Sequence, residues 1–217
     1  MTAAPPRLAP LGDQAVTLTY STTLSDEVAA LARHHAAILR RSELPGVREV
    51  TGGYVTLTVH FDPALTAFAT LRDQVATALA GAEPPPPETA GRLVEIPVRY
   101  EGPDLADVAA RTGLTEADVV ARHTGREYRV ALLGFVPGFA YLGPLDPALV
   151  LPRRAPPRTR VPAGSVAIAG EQTGIYPAAT PGGWHLLGTT DLVMFDPTLD
   201  PPCPLAVGDR VRFVAER

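Results

Sequence analysis

Residues 81–91 read "GAEPPPPETAG", and this stretch organises everything around it. Four consecutive prolines, Pro84 to Pro87, remove the backbone donors that a helix or a central strand needs and favour an extended polyproline II path. Residues 84–91 therefore read as a proline-rich linker, with one domain before it (1–83) and a second after it (92–217).

Upstream, "AVTLTY" (15–20) alternates and is rich in β-formers, which predicts a strand. Leu24, Val28, Leu31, His35 and Leu39 then recur at helical spacing. Ser25, Asp26 and Glu27 suit the N-terminus of that helix. "LPGVREVTGGYVTLTVHFD" (44–62) predicts two strands joined at Gly52-Gly53. "PALTAFATLRDQVATALAG" (63–81) predicts a second helix that starts near Pro63 and stops at Gly81. Strand, helix, hairpin and helix make an α+β domain with its helices on one sheet face.

Downstream, "RLVEIPVRY" (92–100) and "EYRVALL" (127–133) read as strands. Between them "DLADVAARTGLTEADVVARHTG" (104–125) reads as two short helices. Asp104 and Thr115 stand at their N-caps and Gly113 and Gly125 at their ends. From Gly134 onward no helical period remains. Short β-type runs such as "SVAIAG", "GWHLLG" and "RVRFV" are punctuated by Pro and Gly, the pattern of a barrel or a sandwich.

Composition excludes several classes. The 19 basic and 23 acidic residues give a net charge of −4, which offers no general attraction for nucleic acid or an anionic membrane. No apolar run approaches the ~20 residues that span a bilayer, and "MTAAPPRLAP" has no apolar signal core. Cys203 is the sole cysteine, so no internal disulfide forms, and a cytoplasmic location is expected. All the basic residues are Arg. The absence of Lys rules out a P-loop Lys, a Schiff-base Lys and a general-base Lys on this chain. There is no HExxH, CxxC or GxSxG pattern, and His34 and His35 are adjacent and so diverge on a helix. Neither a metal site nor a Ser-His-Asp triad is expected.

Three stretches in the second half hold the remaining chemistry. "GFVPGFAYLG" (134–143) sets Phe135, Phe139 and Tyr141 on a backbone bent by Gly134, Pro137 and Gly138, and reads as either a packed corner or a pocket wall. "LPRRAPPRTRVPAGS" (151–165) carries Arg153, Arg154, Arg158 and Arg160 on a proline-stiffened path, directed at water, a partner or an anion. "GEQTGIYP" (170–177) and "TPGGWHLLG" (180–188) combine Gln172, Tyr176 and Trp184 with glycines, and read either as an anion nest of glycine amides or as tight barrel turns with Trp184 plugging the core.

In this order the chain resembles the allophanate hydrolase subunit 1 family. The resemblance runs through "PLGDQAVTL" (10–18), the block from Leu133 to Pro177, "TPGGWHLLG" (180–188) and "VGDRVRF" (207–213). It implies a cyclophilin-like β-barrel in the second half. It also implies the B component of an ATP-dependent 5-oxoprolinase, opening 5-oxo-L-proline to L-glutamate. Its implied partners are a homologous C component, of the allophanate hydrolase subunit 2 type, and an A component. The same family includes proteins that bind and inhibit a sensor histidine kinase, which is the alternative. On the enzyme reading Phe139, Tyr141, Tyr176 and Trp184 wall a pocket, and Arg153 and Arg158 hold a carboxylate or phosphoryl group. Gln172 and the amides of Gly182 and Gly183 hydrogen-bond a lactam or developing oxyanion, His123 is a secondary candidate for general base, and ATP is the co-substrate of the complex.

Overall fold

The computed structural model describes residues 5–23, 25–83, 85 and 91–216. The chain falls into two compact units, residues 1–89 and 90–217. Of the expected linker, Pro84 and residues 86–90 lie outside the described residues, as does Leu24 of the first expected helix.

In the first unit β1 (Arg7–Pro10), β2 (Ala15–Thr19), β3 (Val47–Gly52) and β4 (Thr56–Phe61) form an antiparallel sheet in the order β1-β2-β4-β3. The alternation of β4 dictates its two faces: Leu57, Val59 and Phe61 are buried, while Thr56, Thr58 and His60 turn the other way. Helices α1 (Asp26–Arg41) and α2 (Phe68–Ala80) supply Leu39, Leu71 and Val75 to the core that those strand residues build with Val16 and Leu18. The Ser25 hydroxyl caps α1 by accepting from the Val28 N–H at 3.2 Å. Helix α2 begins at Phe68, later than the expected start near Pro63. The Asp62 carbonyl accepts from the Leu65 and Thr66 amides, and its carboxylate from the Ala64 amide, so residues 62–66 close a turn of their own first.

The second unit is mainly β. It contains β5 (Leu93–Val98), α3 (Leu105–Thr112), α4 (Glu116–Thr124), β6 (Glu127–Leu133), β7 (Ala140–Gly143), β8 (Arg158–Val161), β9 (Ser165–Ala169), β10 (Gln172–Ile175), β11 (Thr180–Gly182), β12 (His185–Thr189) and β13 (Arg210–Ala215). Seven strands form one sheet in the order β12-β9-β10-β7-β6-β13-β5, antiparallel except for the parallel pair β13–β5. Strands β8 and β11 form a separate two-stranded ladder.

The large sheet curls until its outer strands meet. Arg99, just past β5, and Thr189, at the end of β12, exchange both backbone hydrogen bonds at 2.9 Å. The curled sheet encloses Ile96, Val98, Tyr128, Val130, Leu142, Ile168, Ile175, Val211 and Phe213, and α3 and α4 add Leu105, Val108 and Val119. Gly188 lies at this seam because a Cβ there would run into the Arg99 carbonyl oxygen. Helix α4 starts in a capping box between Thr115 and Asp118. No helix among the described residues is long and apolar enough to cross a membrane.

Candidate functional site

Strands β7 and β10 are neighbours, and Tyr141 lies opposite Gly174 in their register. The turn before β7 delivers Phe139, the segment after β10 delivers Tyr176, and the residue before β12 delivers Trp184. The four rings gather. The Phe139 centroid lies 4.8 Å from that of Tyr141, 5.2 Å from Tyr176 and 5.4 Å from Trp184, the last two edge-on. Tyr141 and Trp184 also meet edge-on at 5.8 Å. These geometries suit ring quadrupoles. Phe139, Tyr176 and Trp184 are buried and Tyr141 is half-buried, over an apolar floor of Val161, Ala167, Ala169 and Leu186. Gly182 is needed beside them, because a Cβ there would run into the Tyr176 phenol. Gln172 starts β10 and is half-buried, opposite Ala169.

The arginines divide in a way the sequence does not show. Asp104, 3% exposed, accepts from Arg158 through both carboxylate oxygens at 2.7 and 2.9 Å, from Arg154 at 2.6 Å and from the Leu186 amide at 2.8 Å. Burial alone would raise this carboxyl. The Arg158 hydrogen bonds, the Leu186 amide and the two guanidinium charges outweigh it and hold the group below the usual carboxylate range. Arg158 is therefore committed to an internal carboxylate, where the sequence suggested a ligand's. Asp104 occupies the cap position of α3, yet its side chain makes no capping bond.

Arg153 is different. It is exposed; burial pushes the Tyr141 and Tyr176 phenols upward, a hydrogen bond with the Trp184 backbone pulls Tyr176 back, and the Arg153 charge pulls more weakly on both. Arg160 is exposed on β8. The paired glycines do not form the expected nest. Neither Gly182 nor Gly183 takes a positive φ, Gly182 pairs with Arg158 in the β8–β11 ladder, and the Gly183 carbonyl accepts from the Arg154 amide at 2.8 Å.

His123 lies in the core of the second unit and has no exposure. The Thr173 hydroxyl donates to the Ala167 carbonyl at 3.0 Å, so it must accept from His123 Nε2–H at 2.8 Å. Nδ1 is then left to accept from the Tyr100 hydroxyl at 2.6 Å. The ring also stacks on Phe213 at 4.5 Å. Burial lowers its pKa from 6.5 to about 3. His123 is thus a neutral, fully bonded core residue, and its position in the last turn of α4 does not make it a cation. It does not serve as a general base: both nitrogens are occupied and no solvent reaches them.

Sequence reasoning passed over His185. It is fully buried, Nε2 lies 2.9 Å from the Pro152 carbonyl, and Nδ1 has no hydrogen-bond partner, with the Asp107 carboxylate 4.0 Å away. No group of three or more His, Cys, Asp or Glu among the described residues could hold a metal ion. Phe139, Tyr176 and Trp184 thus form a packed aromatic core, with the half-buried Tyr141 at its edge and Arg153 exposed.

Residues 6–205 match the family described as the carboxyltransferase domain, subdomain C and D. The B subunit of 5-oxoprolinase from Bacillus subtilis (strain 168) is 38% identical over 217 aligned positions, 94% of this chain and 90% of that one. The B subunit of 5-oxoprolinase from Escherichia coli O157:H7 is 57% identical over 133 residues, 60% of this chain and only 61% of that protein. The crystal structure of TTHA0988 matches with a TM-score of 0.82 at 41% identity, covering 94% of this chain but 40% of the larger TTHA0988 chain. With the match running across both units, the chain belongs to the carboxyltransferase subdomain C and D family, the family of allophanate hydrolase subunit 1 and the 5-oxoprolinase B subunit.

Proposed function

We propose that this chain is the B component of a multi-subunit 5-oxoprolinase, which opens 5-oxo-L-proline to L-glutamate with hydrolysis of ATP. It acts with a homologous C component and an A component. Two domains divide the chain on this reading, and the second, a cyclophilin-like barrel, carries the site. The observation that carries the proposal is the gathering of Phe139, Tyr141, Tyr176 and Trp184, with the charge of the exposed Arg153 reaching the Tyr141 and Tyr176 phenols. 5-Oxoproline is a flat lactam with one carboxylate, so rings and a guanidinium complement it. The near-full-length similarity to a protein named as a 5-oxoprolinase B subunit supports the same reading.

On this reading Arg153 binds the carboxylate and the half-buried Tyr141 meets the ring and donates its phenol to oxygen, while Phe139, Tyr176 and Trp184 pack behind it. Gln172 and the Gly182 and Gly183 amides remain candidates for the lactam group. ATP supplies the phosphoryl group that turns the lactam oxygen into a leaving group. The test is glutamate formation from 5-oxoproline and ATP by the purified components. Full activity without this chain would defeat the proposal; activity that returns only when the chain is added back supports it.

A further inference from the structure

We infer that Phe135 is a substrate-contacting, specificity-determining residue, held by a strained turn at the open edge of the aromatic site; the inference rests on the site reading above. Phe135 has φ +70°, and across it the Val136 amide donates to the Gly134 carbonyl at 2.9 Å. A three-residue turn with positive φ is a rare and strained conformation, more so for a residue with a bulky side chain. Glycine would take it freely.

Burial of the side chain offsets little of that strain. Phe135 is 60% exposed, so little of its ring is removed from water. Its ring meets Phe139 edge-on at 5.6 Å and is the solvent-facing member of the aromatic group. The turn is nonetheless fixed. The Gly134 amide bonds the Phe139 carbonyl, the Phe139 amide bonds the Val136 carbonyl, both at 3.1 Å, and Gly138, at φ +82°, packs against the Met194 carbonyl. An exposed ring on a hydrogen-bonded turn, in a backbone conformation its residue disfavours, marks a position where backbone strain serves recognition. Phe139 links it to Tyr141, the half-buried ring of the group, and the two accessible rings share one edge that the flat ring of the small substrate fills.

Phe135→Gly and Phe135→Tyr test this in the assembled enzyme with 5-oxo-L-proline as the probe. In the Gly variant the thermal midpoint of the chain should be unchanged or higher, and the components of the complex should still co-elute. KM for 5-oxoproline should rise ~10-fold with kcat within about twofold, and the Tyr variant should restore KM. An unchanged KM in the Gly variant overturns the inference. So does a fall in thermal midpoint with unchanged KM, which makes the ring a structural plug, or loss of co-elution, which makes it a contact to a partner protein. A wild-type complex that forms no glutamate defeats the function itself and the inference with it, whereas an active wild type with an indifferent Gly variant defeats the inference alone.

Discussion

Arg153 and Arg158 are five positions apart and carry the same group, yet their surroundings assign them opposite parts. Arg158 forks onto a buried carboxylate, so Arg158→Ala should strip Asp104 of two charge-assisted bonds and cost about 2 kcal/mol of folding stability, read by urea unfolding. Arg153→Ala should leave stability nearly unchanged and raise KM for 5-oxoproline by ~10- to 100-fold. The sequence shows a cluster of arginines but not which one is neutralised, because the neutralising carboxylate lies 54 positions upstream of Arg158 and looks there like a helix cap. His123 yields a pH prediction. Its folded pKa is depressed from 6.5 to about 3, so below pH 6.5 the unfolded chain binds a proton that the folded chain refuses. Stability is therefore full at neutral pH and falls on acidification by ~1.4 kcal/mol per pH unit between those values. About 2 kcal/mol should be gone at pH 5, and His123→Gln should flatten that part of the profile.

At the scale of elements, patterns that repeat along the chain were legible and those that depend on distant partners were not. The strand at 15–20, the Ser25 start of α1 and the Thr115 cap of α4 are written locally and appear as expected. The start of α2 was misjudged because Pro63 is a good first helical residue, while the Asp62 turn that delays the helix depends on tertiary placement. The β-rich half could be read as a barrel or a sandwich. The Arg99–Thr189 bridge, which brings the two sheet edges together, joins residues far apart in sequence and has no local signature. Gly188→Val should push the Arg99 carbonyl away, break that bridge and lower the thermal midpoint by several degrees. Gly182→Val should instead displace the Tyr176 phenol and disturb the aromatic group while leaving the seam intact. Near-ultraviolet circular dichroism reports the loss of fixed ring packing in the second variant.

For the whole molecule, the family was legible because a long ordered block survives in it, from the aromatic turn through the arginine stretch to the paired glycines. The site was legible only in part. Its four rings do assemble, since β7, β10 and the start of β12 lie side by side through β9. Of the two arginines named for it, Arg158 is bound to Asp104, and the histidine named as a base is core. The account therefore rests on Arg153 and the rings acting together, and a crystal structure of the assembled enzyme with 5-oxo-L-proline measures that directly. It should place the ligand carboxylate about 3 Å from the Arg153 guanidinium, with the lactam ring against Tyr141. A ligand bound to a partner protein of the complex, or bound here with Arg153 turned away from it, would contradict the account.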